Sequence, residues 1–172
     1  DEIRRHEVIG VDQTGWPNLD AKGKKRWQVW CLTAPGLVGH VIRGDKSAAT
    51  FDDLLSTYQG TVVCDALSSH LSASRVRAGP ITLAGCWAHV RRKFADAEPD
   101  HPKAREALAM IRELYDIDAQ AQNDDERRSL RATDSKAVLA RLKVWLSATA
   151  APRTTSLGAA FRYAINDWRR LT

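Results

Sequence analysis

The feature that most constrains this chain is a change of apolar rhythm at about Trp87. Before it, short segments rich in β-branched and aromatic residues alternate with clusters of turn formers; after it, apolar residues return about every 3.6 positions. A sheet half followed by a helical half is the arrangement this pattern allows. In the first half, His6-Glu7-Val8-Ile9-Gly10-Val11-Asp12, Arg26 to Thr33, Leu37 to Arg43, Thr61-Val62-Val63-Cys64-Asp65 and Ile81 to Ala84 read as strands. Pro35-Gly36 turns the second strand back antiparallel to the third, while Gln13 to Asn18 and Asp20 to Lys25 read as turns. Thr50-Phe51-Asp52-Asp53 resembles a capping box, opening a helix with Phe51, Leu54, Leu55 and Tyr58 on one face and Gly60 as its stop. A short Ser-rich helical segment with Leu67, Leu71 and Val76 then leads to the last strand, giving the order β-β-β-α-β-α-β.

Three or four helices are expected in the second half. Ala104, Ala107, Leu108, Ile111, Leu114 and Tyr115 form one stripe, with Pro102 near its start. Val138, Leu139, Leu142, Trp145 and Leu146 form another, and Leu157, Ala160, Phe161, Ala164, Ile165, Trp168 and Leu171 a third, with Ser156 as its N-cap. Gln120 to Ser135 is polar and reads as a solvated connection with partial helical character. At 172 residues, 44% of them hydrophobic and 27% charged, the chain has the composition of an ordinary globular domain, and most of its six tryptophans are expected to anchor cores. No run approaches the roughly 20 apolar residues of a membrane helix and no signal peptide opens the chain, so a cytoplasmic protein without membrane contact is expected. Cys31, Cys64 and Cys86 are too scattered for a disulfide framework and read as reduced, buried residues. The chain starts at Asp1 and its one methionine is Met110, as expected of a piece of a longer protein.

Two of the strands stop on an acid, Asp12 and Asp65. In open sheets with parallel strands, sites form beyond the carboxyl ends, so adjacent strands would bring these carboxylates together. Like charges at that range disfavour ionisation unless a cation lies between them, and a hard divalent ion such as magnesium suits oxygen donors. The alternative is two acids that serve turns and caps. A second local string, Ala84-Gly85-Cys86-Trp87-Ala88-His89-Val90-Arg91-Arg92-Lys93-Phe94, reads as a strand end turning into a helix with a basic face. Cys86 and His89 have the spacing of half a zinc site, but no second pair completes it. His89 is open to a packed or capping role, and Arg91, Arg92 and Lys93 suit either a solvated helix face or phosphate contact. The formal charge of +5 makes a polyanion partner plausible without deciding it.

Taken in order, Val11-Asp12-Gln13-Thr14-Gly15-Trp16, Val63-Cys64-Asp65-Ala66-Leu67-Ser68 and Gly85 to Phe94 resemble the successive motifs of the insertion-sequence-66-type bacterial transposases. Phe161-Arg162-Tyr163-Ala164-Ile165-Asn166-Asp167-Trp168 resembles that family's late helix, so the likeness spans essentially the whole chain. The resemblance implies an α/β fold: a ribonuclease H-like mixed sheet with flanking helices, followed by a helical insertion. It also implies an Asp, Asp, Glu active site of the DDE type. Residues 1–98 would form the core with its first two acids, Asp12 and Asp65, and residues 99–172 the insertion region. The implied chemistry is DNA strand cleavage and transfer with a two-metal magnesium or manganese site, in which Asp12 bridges both ions and Asp65 holds one. Lys24, Lys25, Arg26, His89, Arg91, Arg92 and Lys93 would contact DNA, the partners being transposon ends, target DNA and further copies of the chain.

Two departures bear on these expectations. Gln13 stands where the family usually has Glu, a change beside the ligand that should tune the site. The family's catalytic glutamate follows the late helix, whereas this sequence ends at Thr172, and Asp167 lies in the helix before that segment and does not qualify for the role. The expectation is a catalytic core without its third acid and without the family's N-terminal DNA-recognition region, inactive by itself. The alternatives are a catalytically silent DNA-binding remnant or accessory module of a mobile element, and a nuclease of the same fold.

Overall fold

In a computed structural model of the chain, residues 2–17, 26–65 and 67–172 are described, with residue 26 described through its backbone alone. The chain divides into two compact units, Asp1–Cys86 and Trp87–Thr172.

The first unit opens with a 3-10 turn, Ile3–Arg5, followed by β1 (Val8–Pro17), β2 (Arg26–Ala34), β3 (Leu37–Arg43), α1 (Ala48–Leu55), β4 (Gly60–Cys64), α2 (Ser68–Ser72), α3 (Ser74–Arg77) and β5 (Ile81–Gly85). The five strands form one sheet in the order β3-β2-β1-β4-β5. The β1–β2 and β2–β3 pairs are antiparallel, as two-residue and longer hairpin links permit, while β1–β4 and β4–β5 are parallel and need crossovers. This is the mixed sheet with flanking helices expected of a ribonuclease H-like fold. Helices α1 to α3 cover one face, where Ile9, Val11, Trp30, Leu32, Phe51, Leu54, Leu55, Val62, Cys64, Ala73 and Ile81 form the buried core.

Three local expectations are corrected here. Strand β1 does not stop at Asp12 but continues through Gln13-Thr14-Gly15-Trp16 to Pro17, paired with β2 in an unbroken register from Gly10↔Thr33 to Pro17↔Arg26. Cross-strand pairing overrides the turn preference of Gly15, and Pro17, which lacks an N–H to contribute to the ladder, falls on the last residue. Helix α1 starts before the expected capping box: Ser47 is the N-cap, its Oγ accepting from the Thr50 N–H at 3.2 Å, while Thr50 donates to Asp45 Oδ1 at 2.6 Å. The helix ends at Leu55, so Tyr58 is not on its face; it is buried beyond the helix, its hydroxyl 2.9 Å from the carbonyl oxygens of both Glu7 and Thr61. Gly60 lets the chain pass this point, since its φ is +151° and a Cβ there would come within 2.6 Å of Glu7 O and Tyr58 Oη.

The second unit is helical: α4 (Trp87–Ala97), α5 (Ala104–Asp118), α6 (Asp124–Ala132), α7 (Asp134–Ala148) and α8 (Ser156–Leu171). Val90, Phe94, Ala107, Ile111, Leu142, Leu146, Leu157, Ala160, Phe161 and Ala164 close its main core. Phe94, Trp145 and Phe161 meet there with ring centroids 5.0 to 6.1 Å apart. The stripe on α5 is shifted by a position at its end: Ile117 is buried and Tyr115 is exposed. The polar connection is a full helix, α6, with no buried residue; Asn123 caps it by accepting from the Glu126 N–H at 2.9 Å, and Asp124–Arg127 and Asp125–Arg128 pair along its surface. Thr155, not Ser156, caps α8, its Oγ1 accepting from the Gly158 N–H at 3.0 Å. Four tryptophans pack in or against the cores; Trp16 and Trp27 do not, remaining 63% and 43% exposed. None of the three cysteines is in a disulfide; Cys64 is buried, and Cys31 and Cys86 are half-buried. Among the described residues, no helix is long and apolar enough to cross a membrane.

Candidate functional site

Strand β4 brings Asp65 beside Asp12 because the parallel ladder runs Val8↔Thr61, Ile9↔Val62, Gly10↔Val63. The last pair of that ladder, Gly10↔Val63, lies two residues before each acid, so Asp12 and Asp65 follow the end of the pairing by equal steps on neighbouring segments. The ladder with β4 ends just before the two acids, whereas β1 continues past Asp12 alongside β2, where Asp12 faces Cys31. Asp12 is therefore mid-strand, just past the point where the pairing of β1 with β4 ends. Alternation decides its direction: Ile9 and Val11 enter the core, so Asp12 stands on the opposite face and is exposed. Its Oδ1 accepts from the Gln13 N–H at 2.8 Å, a main-chain contact that does not depend on whether Gln or Glu stands at position 13.

Asp65 is half-buried just past β4, and its Oδ1 accepts from the Leu67 N–H at 3.3 Å, a local turn that fixes the carboxylate. The same oxygen lies 3.2 Å from His70 Nδ1, within ion-pair range but without the alignment of a well-formed hydrogen bond. His70 is fully buried, stacked on Phe51 at 4.5 Å and 28° and lying 5.7 Å from the Trp30 ring. Sequence reasoning missed this residue. It assigned the apolar face of this segment to Leu67, Leu71 and Val76, but Leu71 is exposed and the buried positions are His70 and Ala73. The three-residue spacing from Leu67 to His70 to Ala73 was the available signal.

Asp12 and Asp65 offer hard oxygen donors of the kind magnesium or manganese takes. No group of three or more His, Cys, Asp or Glu side chains that could hold a metal occurs among the described residues, so the pair would be part of a ligand set, completed by other donors. Asp167 is buried in α8 and paired with Arg170 three residues on, a structural ion pair. Of the basic candidates, Arg91, Arg92 and Lys93 are exposed on α4, and Lys93 Nζ lies 5.9 Å from the centre of the Tyr163 ring. His89 is half-buried on the same helix. Arg26 is placed by its backbone at the start of β2, opposite Pro17, and Lys24 and Lys25 lie outside the described residues. Both acids belong to the first unit, at the ends of the paired stretch of β1 and β4, while the described basic side chains belong to the second.

Compared with known proteins, residues 1–172 match the family model described as the transposase IS66 family. The chain belongs to the IS66 transposase family. Uncharacterized protein y4jD of Sinorhizobium fredii is 28% identical over 191 residues, covering 98% of this chain and 37% of that protein. Uncharacterized protein y4qI of the same organism is 27% identical over 167 residues, covering 84% of this chain and 31% of that protein. The IS66-family chain therefore spans about a third of the length of these relatives. Among solved structures, it is similar to the HTLV-2 integrase catalytic core domain in complex with magnesium, at 15% identity and a TM-score of 0.33 over 61% of this chain and 81% of that one. The catalytic core domain of BIV integrase is similar at 14% identity and a TM-score of 0.32, over 94% of this chain and 98% of that one.

Proposed function

We propose that this IS66-family chain is the part of a DDE-type transposase that carries the first two active-site carboxylates, Asp12 and Asp65. The observation that supports it most is the parallel β1–β4 register, whose last pair, Gly10↔Val63, stands two residues before each acid. In this reading the core extends through α4 to residue 98 and residues 99–172 are the helical insertion. The third acid comes from the longer protein, which works as a homo-oligomer on transposon ends and target DNA in the bacterial cytoplasm.

Asp12, exposed and reachable from the open face, would hold magnesium or manganese together with Asp65, whose carboxylate the Leu67 N–H and His70 keep turned to one side. Divalent ions bound there would neutralise charge on the attacking and leaving oxygens of an in-line displacement. In the first reaction a water oxygen bonds to phosphorus as the bridging P–O3′ bond breaks, leaving a 3′-hydroxyl and a 5′-phosphate. In the second, that 3′-hydroxyl oxygen bonds to a target phosphorus as the target's own P–O3′ bond breaks, releasing a target 3′-hydroxyl. Arg91, Arg92 and Lys93, with Lys24, Lys25, Arg26 and His89, would neutralise and position phosphates without reading sequence.

The test uses the complete protein. Asp12→Asn and Asp65→Asn are each expected to abolish cleavage of transposon ends while leaving the far-UV spectrum and thermal melt unchanged. Cleavage surviving in either variant overturns the assignment. Manganese titration by calorimetry gives a second readout, with binding lost in Asp65→Asn. DNA binding that is indifferent to metal, in a complete protein that never cuts, would favour an accessory DNA-binding module instead.

A further inference from the structure

We propose that Trp16 and Trp27 form a stacking platform for unpaired DNA bases beside the Asp12–Asp65 pair; this rests on the reading of the chain as a DNA-processing core. The two indoles are direct cross-strand partners in the β1–β2 ladder, which puts their Cβ atoms about 5 Å apart on one face of the sheet. Both are exposed, at 63% and 43%, whereas the third tryptophan of the same hairpin, Trp30, is fully buried on the core face. Large aromatic rings left in water in this way mark a contact surface more than a core defect.

The face they occupy decides the partner. Along β1, Asp12, Thr14 and Trp16 share one face, and the register between β1 and β2 has no bulge that would reverse it. Trp16 thus stands four residues beyond Asp12 on the same side, about 14 Å away, which is the rise of about four stacked nucleotides. Between them lie Thr14 and its partner Val29, which add no charge to the strip. In sequence, the stretch joining the two strands sets Lys22, Lys24 and Lys25 against Asp20, a positive balance that favours a phosphate-bearing partner. Indole rings accept any base on their π-faces, so the platform would hold a frayed or cleaved strand end without selecting its sequence. The other exposed large apolar residues of this face, Val8 on β1 and Val38 and Ile42 on β3, are aliphatic and offer no ring to stack on.

The test compares, at low salt, the affinity of the 172-residue chain for a single-stranded oligonucleotide and for an abasic strand of equal length. Stacking predicts that the wild-type chain prefers the base-bearing strand by about tenfold. Trp16→Ala and Trp27→Ala should each remove most of that preference without changing affinity for the abasic strand, and Trp16→Phe should keep most of it. No preference in the wild type, or a preference that survives both alanine variants, overturns the platform while leaving phosphate binding intact. Absence of binding to either strand overturns the DNA reading itself, and the platform with it. Alanine variants that alter sedimentation but not base preference would make this face a contact between copies of the chain, which also overturns the proposal.

Discussion

At Asp65 one carboxylate oxygen meets both the Leu67 N–H and an imidazole that has no room to turn away. His70 is wedged against Phe51 and Trp30, so its Nδ1 contact to Asp65 at 3.2 Å is set by packing as much as by charge. His70→Ala is expected to cost about 2 kcal/mol or more from the cavity. His70→Phe should recover most of that stability in urea melts, yet both variants should bind manganese about tenfold more weakly, as loss of a partner behind a metal ligand commonly does. Equal metal affinity in the phenylalanine variant would reduce His70 to a packing residue. Gly60→Ala belongs at this scale too: a positive φ and two oxygens 2.6 Å from the added Cβ predict a loss of about 1–3 kcal/mol in chemical denaturation. The placement of Asp12 and Asp65 on neighbouring segments of the sheet was legible because each follows a β-branched run, a signal one strand long. His70 was not, because what makes it matter is a neighbour brought in from α1 and β2.

Between elements, Asp52 does the joining. It sits on α1 and accepts from the Ser74 N–H at 2.8 Å, the Ser74 hydroxyl at 2.6 Å and the Arg75 N–H at 3.0 Å, capping α3 from another helix. Burial pushes its carboxyl up, but the Ser74 and Arg75 hydrogen bonds and the Arg75 charge outweigh it, leaving the group below its usual value of 3.8. Asp45, before α1, is lowered to about 2 by the Thr50 hydroxyl and then by the Ser47 N–H. Depressed carboxyls stabilise the fold above their unfolded values and lose that contribution as acid protonates them. The melting temperature should therefore fall as pH drops from about 4 towards about 2. Asp52→Ala should cost about 1 kcal/mol at neutral pH and flatten part of that acid limb. Bounds of β2, β3 and β5 were readable from turn residues and β-branched runs. Helix α6 was read only as partly helical because it has no fully buried residue and offers Leu130 alone to a core; caps and surface ion pairs do most to build it. The start of α1 was misread since Ser47 and Thr50 are equally good caps in sequence, and Asp45 breaks the tie by engaging Thr50.

Across the whole molecule, the second unit has its own core of helices, and residues 87–172 alone should give a helical spectrum and a cooperative melt. A non-cooperative melt would mean that this core depends on the sheet unit. With a formal charge of +5, binding to single strands should weaken steeply with salt. Replacing Arg91, Arg92 and Lys93 together with alanine should make the slope of log affinity against log salt shallower by about two if each meets one phosphate. An unchanged slope would leave them as a solvated helix face. The long β1–β2 ladder carries a different consequence. Its register is tied at every step from Gly10 to Pro17, so additions or deletions between Pro17 and Arg26 meet a clamped pair of strands before they can disturb the acids. Related proteins would be free to vary the length and composition of that link, and with it whatever it touches, while Asp12 keeps its place. The ladder separates the part of the hairpin open to experiment by evolution from the part that is not.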